Sequence, residues 1–242
     1  MKVYLYSGAG NSFAVIDGRG VPVSAGLAQK LCERYGTDGF IALKEGDAFR
    51  MEFYNRDGSC GMMCGNGGRC IVDFASRILG GGTFRFEAPD GVHCGEVLAS
   101  GRVRLTMKNP SAPVEYPEGT FIDTGTRHLV VRREDVDSID VETEGRALRN
   151  ARAFAPLGTN VDFVERVAPG TIKVRTFEKG VEAETLSCGT GVVAAAVCEG
   201  KGREIVRTRG GELVVEFATG KDGVGDVTLT GPVELIKIED YD

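Results

Sequence analysis

The chain has 242 residues, 42% hydrophobic and 26% charged, enough to bury the core of one large domain or two ordinary ones. A formal net charge of −6 argues against nucleic acid or an anionic membrane as the main partner. No apolar run approaches the roughly 18 residues of a membrane span, and the start at Met1-Lys2-Val3-Tyr4-Leu5 lacks a signal peptide's apolar core, so a cytoplasmic protein is expected.

Val3 to Tyr6 reads as a strand, Ser7-Gly8-Ala9-Gly10-Asn11 as a turn, and Ser12 to Asp17 as a second strand. Ser24 is a suitable N-cap for a helix from Ala25 to Tyr35, with Leu27, Leu31 and Cys32 on one face. Phe40 to Leu43 and Arg50 to Asn55 continue as strands, and Arg56-Asp57-Gly58-Ser59 is turn chemistry. Met63-Cys64-Gly65-Asn66-Gly67-Gly68-Arg69-Cys70 then opens a helix that runs to Leu79 and stops at three glycines. Three short strands follow between Thr83 and Met107. The proline-rich stretch from Asn109 to Pro117 reads as the connection between two halves.

The second half repeats the order. Phe121 to Thr124 and Leu129 to Val131 are strands, Glu142 to Arg149 a helix, and Asn160 to Val164 and Thr171 to Phe177 strands. Ser187-Cys188-Gly189-Thr190-Gly191 opens a second apolar helix, and four more strands extend to Ile238. Many strands with about two helices per half define an α+β chain. The expected division is 1–117, completed by the C-terminal strand 231–242, and 118–230.

Cys64 and Cys188 share the pattern Cys-Gly-[Asn/Thr]-Gly before a helix, about half a chain apart. A helix N-terminus favours negative charge, and a cysteine there can have its pKa lowered to roughly 3.5–7.5. The adjacent glycines and exposed N–H groups suit a substrate carboxylate. Two equivalent acid–base groups on opposite sides of one carbon are what racemisation or epimerisation requires: one thiolate removes the α-proton and the opposite thiol donates another. The carbanion that develops needs donors around its carboxylate, and two helix ends supply them. Cys32, Cys60, Cys70, Cys94 and Cys198 read as ordinary small apolar residues. No Cys-x-x-Cys pair occurs and His93 and His128 lack ligand spacing, so no metal site and no cofactor are expected.

The segments Gly8-Ala9-Gly10-Asn11-Ser12-Phe13, Asn55-Arg56-Asp57-Gly58, Cys64 to Cys70, Glu184-Thr185 and Cys188-Gly189-Thr190-Gly191 stand in the order found in diaminopimelate epimerases, and the chain resembles that family over nearly its whole length. The resemblance implies two pseudo-symmetric halves, each a mostly antiparallel or mixed sheet curled around a central helix, with the active site in the cleft between them. It implies cofactor-independent interconversion of LL- and meso-2,6-diaminopimelate, on the route to lysine and peptidoglycan. Cys64 and Cys188 would be the acid–base pair, with Glu178 and His128 setting thiol protonation. Gly65, Asn66, Gly189 and Thr190 would hold the reacting carboxylate. Asn11, Asn55, Thr126, Asn160, Glu178 and Lys179 would contact substrate, Asn55 and Asn160 at its distal end. The only expected partner is this small molecule; a homodimer is left open.

Three positions depart from the family pattern. Gly125-Thr126-Arg127-His128 replaces Gly-Asn-Pro-His, and Glu178-Lys179-Gly180 replaces Glu-Arg-Gly, which loses the planar guanidinium fork. The loop Gly36-Thr37-Asp38-Gly39 is shorter than usual and offers Gly39 where some members place glutamine. A proline or hydroxyproline racemase is the nearest rival, but such enzymes carry Cys-Gly-His where this chain has Cys64-Gly65-Asn66. A phenazine-type isomerase of the same fold lacks the cysteine pair. A non-catalytic amino-acid-binding protein and a redox pair of Cys64 with Cys188 are the rivals from other classes, the disulfide being expected as an inactivation route.

Overall fold

The computed structural model describes residues 1–241, and the chain divides into two compact units. The first comprises Met1–Thr106 with the returning C-terminal segment from Thr230, and the second runs from Met107 to Leu229. The division falls after Thr106, ahead of the position expected near residue 117. The physical reason lies in the pairing. The Met107 N–H donates to Val227 O at 2.8 Å, and Val114–Tyr116 forms a short strand that pairs with the first long strand of the second unit.

The first unit is built from β1 (Lys2–Gly8), β2 (Asn11–Asp17), α1 (Ala25–Tyr35), β3 (Gly39–Lys44), β4 (Arg50–Asn55), α2 (Gly65–Leu79), β5 (Thr83–Ala88), β6 (Gly91–Val97) and β7 (Val103–Thr106). Strand β1 pairs antiparallel with β2, β2 parallel with β3, β3 antiparallel with β4, β4 parallel with β5, and β5 and β6 antiparallel with their successors. α1 covers one face of β2, β3 and β4. Its N-cap is Ser24, whose hydroxyl accepts from Leu27 N–H at 3.2 Å, and its C-cap Gly36 takes the left-handed conformation at φ 67°. Ala28, Leu31 and Cys32 are fully buried there against Val3, Ala14, Ile16, Phe40 and Ala42, while Leu27 is half-buried at the edge. α2 instead touches β1, β2, β3, β6 and β7, so the sheet curls around it. The packing is tight enough that a methyl group on Gly95 of β6 would lie 2.3 Å from Val72 of α2.

The second unit contains β8 (Val114–Tyr116), β9 (Gly119–Asp123), β10 (Arg127–Arg132), α3 (Val141–Arg149), β11 (Asn160–Ala168), β12 (Thr171–Glu178), β13 (Ala183–Thr185), α4 (Gly189–Glu199), β14 (Arg203–Thr208), β15 (Gly211–Gly220) and most of β16 (Gly223–Gly231). β17 (Glu234–Asp240) returns to the first unit and pairs antiparallel with β1. Strand β9 pairs antiparallel with β10, β10 parallel with β11, β11 antiparallel with β12, β12 parallel with β14, and β14 antiparallel with β15. That is the sequence of pairings found in the first unit, strand for strand. α3 covers Leu129, Val131, Val161, Phe163 and Phe177. α4 is buried without interruption from Gly191 to Val197, because strands β9, β10, β11, β12, β14 and β15 surround it. A chain read as α+β with two related halves, each a sheet curled round one helix, is what the pairings show. The short strands β8 and β13, three residues each, and the 3-10 turn at 152–154 are elements that periodicity did not announce.

Among the described residues no helix is long and apolar enough to cross a membrane.

Candidate active site

The two cysteines occupy the same local position. Each is an N-cap in extended backbone, Cys64 at φ −101°, ψ 123° before α2 and Cys188 at φ −106°, ψ 111° before α4. The Cys64 carbonyl accepts the N–H of Gly68 at 2.7 Å and the Cys188 carbonyl that of Val192 at 2.8 Å, so both helices begin in the same way. The residues between them and those first bonds, Gly65-Asn66-Gly67 and Gly189-Thr190-Gly191, carry N–H groups that no intrahelical carbonyl can take. These are the donors a carboxylate needs.

The matching pairings allow the units to be compared residue by residue. Phe13 pairs with Gly39 in the first and His128 with Asn160 in the second; Ile41 and Asp162 lie two places further along their strands. Gly39 pairs across to Asn55, and one step before Val161–Phe177 the same register sets Asn160 beside Glu178. Asn11 and Thr126 are therefore equivalents, two residues before Phe13 and His128. So are Asn66 and Thr190, two residues after their cysteines.

The equivalents touch in the same way. In the first unit Asn66 Nδ2 donates to Asn11 Oδ1 at 2.6 Å, and in the second Thr126 Oγ1 donates to Thr190 Oγ1 at 3.0 Å. Thr126, which stands where the family carries asparagine, thus keeps the contact with the helix N-terminus while shortening the side chain. Asn66 is fixed further by Arg69, whose Nη2 donates to Asn66 Oδ1 at 2.7 Å and whose Nη1 donates to Gly65 O at 3.1 Å. Arg69 is fully buried, and desolvation lowers its pKa to about 10. Sequence reasoning quoted Arg69 as part of a motif and gave it no role.

Around Cys188 the environment is polar and anionic. The side chain is 8% exposed. Burial pushes the thiol well above its ordinary pKa, the Glu178 and Asp162 carboxylates push it further, and the Thr190 hydroxyl and Gly191 N–H oppose them. The expectation that a helix N-terminus lowers the pKa is overturned for this thiol. Loss of hydration outweighs the partial charge of the helix end. Thr190 Oγ1 lies 3.4 Å from Cys188 Sγ, 3.0 Å from His128 Nε2 and 3.0 Å from Thr126 Oγ1. Glu178, at the end of β12, has its carboxyl raised by burial; the Thr185 hydroxyl and His128 act in the opposite direction.

His128 is fully buried, with Nδ1 2.7 Å from Asp162 Oδ2. Asp162, also fully buried, accepts at its other oxygen from Thr176 Oγ1 at 2.7 Å. Asp162 and Thr176 were absent from the residues singled out by sequence. A charged residue inside the run Asn160-Val161-Asp162-Phe163-Val164 was the available signal.

The remaining expected residues are placed as follows. Asn160 is nearly buried; its Nδ2 donates to Arg127 O at 2.8 Å and its Oδ1 accepts from Lys179 N–H at 2.8 Å, so its amide ties β10 to the end of β12. Lys179 is exposed, with Nζ donating to Leu157 O at 3.2 Å. Asn55 is exposed at the end of β4, donating to Ser59 Oγ at 3.0 Å. The structure gathers Cys64, Gly65, Asn66 and Asn11 at one helix start, and Cys188, Gly189, Thr190, Thr126 and His128 at the other. It leaves Asn55 and Lys179 at strand ends with local partners. Cys32 and Cys70 are buried and Cys60 and Cys94 exposed, all as free thiols, and burial raises Cys198 to about 12.

This architecture is shared with a known class of proteins. A PhzF-family phenazine biosynthesis protein of Bacillus anthracis superposes with a TM-score of 0.77 at 14% identity, covering 99% of this chain and 98% of that one. A probable proline racemase of Agrobacterium radiobacter K84 superposes with a TM-score of 0.68 at 14% identity, covering 100% and 92%. The chain therefore has the fold common to the PhzF proteins and the proline racemases. Within that class, the family model described as diaminopimelate epimerase matches residues 3–112 and 120–236. The diaminopimelate epimerase of Aquifex aeolicus is 40% identical over 96% of this chain and 95% of its own length, and that of Flavobacterium psychrophilum 36% identical over 98% of each. The chain belongs to the diaminopimelate epimerase family.

Proposed function

We propose that this protein epimerises LL-2,6-diaminopimelate to the meso isomer without a cofactor, in the cytoplasm, as a step toward lysine and peptidoglycan precursors. The observation that carries the reading is the matched pair of cysteine N-caps, each followed by a Gly-polar-Gly helix start, in a chain of this family. Cys64 and Cys188 are the acid and base. Gly65, Asn66, Gly189 and Thr190 offer N–H and side-chain donors to the reacting carboxylate, and they stabilise charge as it develops on the α-carbon. Asn66 is held for that work by Arg69 and Asn11. Glu178 meets the reacting amino group, and Asn55, Asn160 and Lys179 recognise the distal amino acid. Lys179 offers a single point charge there in place of a guanidinium.

Reduced protein is expected to convert LL-diaminopimelate to the meso isomer and to leave proline unchanged, as read by chiral chromatography. Conversion of proline would support the racemase reading, and turnover of neither would support a binding protein. C64A and C188A are each expected to lose epimerisation by at least about 10²-fold, the low end of what a positioned acid or base contributes. Activity near wild type in either would contradict the assignment.

A further inference from the structure

The strands beside the two cysteine helices differ most at three equivalent positions. Next to α2 the positions are apolar: Phe13 and Phe53 contact edge to face at 6.2 Å, and Ile41 lies 3.1 Å from where a methyl on Gly67 would be. Next to α4 the equivalent positions are His128, Thr176 and Asp162, all buried and hydrogen-bonded to one another in a line. A methyl on Gly191, the equivalent of Gly67, would lie 2.2 Å from Asp162 Oδ1 and 3.3 Å from His128 Cε1, so the helix start rests directly on this pair. A buried aspartate and histidine cost desolvation that the apolar unit avoids, and a fold that can be built without them retains them for another reason.

The hydrogen bonds specify a tautomer. Asp162 accepts at both oxygens, so its bond to His128 Nδ1 places the ring proton on that nitrogen. Nε2 then carries a lone pair open to donation from Thr190 Oγ1 at 3.0 Å and Asn160 Nδ2 at 3.5 Å, while Thr126 Oγ1, 2.9 Å away, gives its one proton to Thr190. Thr190 is the one that also reaches Cys188 Sγ, at 3.4 Å.

We infer that Asp162 is a positioning residue that keeps His128 Nε2 open to receive the Cys188 proton through the Thr190 hydroxyl. The S–H bond of Cys188 breaks and its proton joins Thr190 Oγ1, while the proton already on Thr190 passes to His128 Nε2. One proton leaves sulfur and one arrives on the ring. The products are a thiolate and an imidazolium, the imidazolium paired with the Asp162 carboxylate, and no electrons are exchanged. The role rests on the reading of Cys188 as an acid–base group, and it explains how a buried thiol flanked by carboxylates becomes a base. The charged groups around it are Glu178 from β12, Asp162 from β11 and His128 from β10. From β9, Asp123 accepts from Gly125 N–H, from β14 Glu204 pairs with Arg166, and from β15 Glu212 and Glu216 pair with Arg207 and Arg203.

The test is the pH dependence of Cys188 alkylation by iodoacetamide, followed at that peptide by mass spectrometry, without substrate, so that it stands whatever the substrate is. Simple charge removal in D162N makes the thiolate easier to form and moves the profile to lower pH. Loss of the relay moves it to higher pH, by about one unit or more, a tenfold drop in thiolate at a given pH. We expect the upward shift in D162N and in T190V, with T190S restoring the wild-type profile. In wild-type protein, histidine ring 15N NMR is expected to show the resting His128 ring protonated on Nδ1 and not on Nε2, a readout that needs no variant to fold. A D162N profile that is unchanged or shifted downward, or a resting His128 ring that carries its proton on Nε2, would overturn the inference.

Discussion

At the scale of single residues, the difference between Gly67 and Gly191 is the most exacting feature. A methyl on Gly67 meets the ends of Ile41, Met51 and Phe13, the nearest at 3.1 Å, and side-chain ends can give by a few tenths of an ångström. A methyl on Gly191 meets Asp162 Oδ1 at 2.2 Å, on a carboxylate held in place by one hydrogen bond at each oxygen. G191A is therefore expected to destabilise by about 1–3 kcal/mol, the cost of overpacking, and G67A by clearly less, as read by denaturant titration. Equal losses would mean that the Asp162 site yields as readily as the apolar one. Glu178 gives a pH-dependent case. Its folded pKa is raised by burial, so ionisation costs the folded state. The penalty is absent below the unfolded carboxyl value of about 4.3 and grows as pH rises, reaching its full size above the raised folded value. E178Q is expected to melt higher than wild type at neutral pH, with the gap closing in acid, and to lose activity. A gap independent of pH would show that the carboxyl is not strained.

At the scale of elements, boundaries were legible wherever cap chemistry marked them. Ser24 opens α1 and Gly36 closes it at the residues read from sequence, and the glycines after Leu79 end α2. S24A is expected to cost about 1 kcal/mol of stability while leaving activity intact, because the cap serves one helix start and no functional group. A larger activity loss than stability loss would place α1 in the site. Strands β8 and β13 escaped because three residues carry no period, and the 109–117 segment read as a linker because its prolines outweighed the three residues of Val114–Tyr116. The cysteine helices were legible from a repeated motif. What surrounds them was only half legible: Asn11, Asn66, Thr126, Thr190 and His128 came from resemblance. Asp162 and Thr176 act through partners distant in sequence that only the strand register brings into view, whereas Arg69 acts within its own helix start on Gly65 and Asn66, and its burial was not legible.

At the scale of the molecule, two units with the same strand pairings each present one cysteine at a helix N-terminus, and the second sets a buried histidine and aspartate against that helix start where the first has Phe13 and Ile41. The chain spans 95% of the length of the Aquifex aeolicus relative and 98% of the Flavobacterium psychrophilum one. Two-base chemistry has an isotopic signature that a single base cannot imitate. A thiol carries one proton, so the cysteine that removes the substrate hydrogen returns only that hydrogen to the same face, whereas the opposite thiol delivers a proton from solvent. The measurement is early-time turnover of LL-diaminopimelate in deuterated water, with mass spectrometry of both isomers. The meso product is expected to carry one α-deuterium while the remaining LL substrate carries none. Unlabelled meso product, or deuterium entering the LL pool as fast as the product forms, would contradict the two-base chemistry.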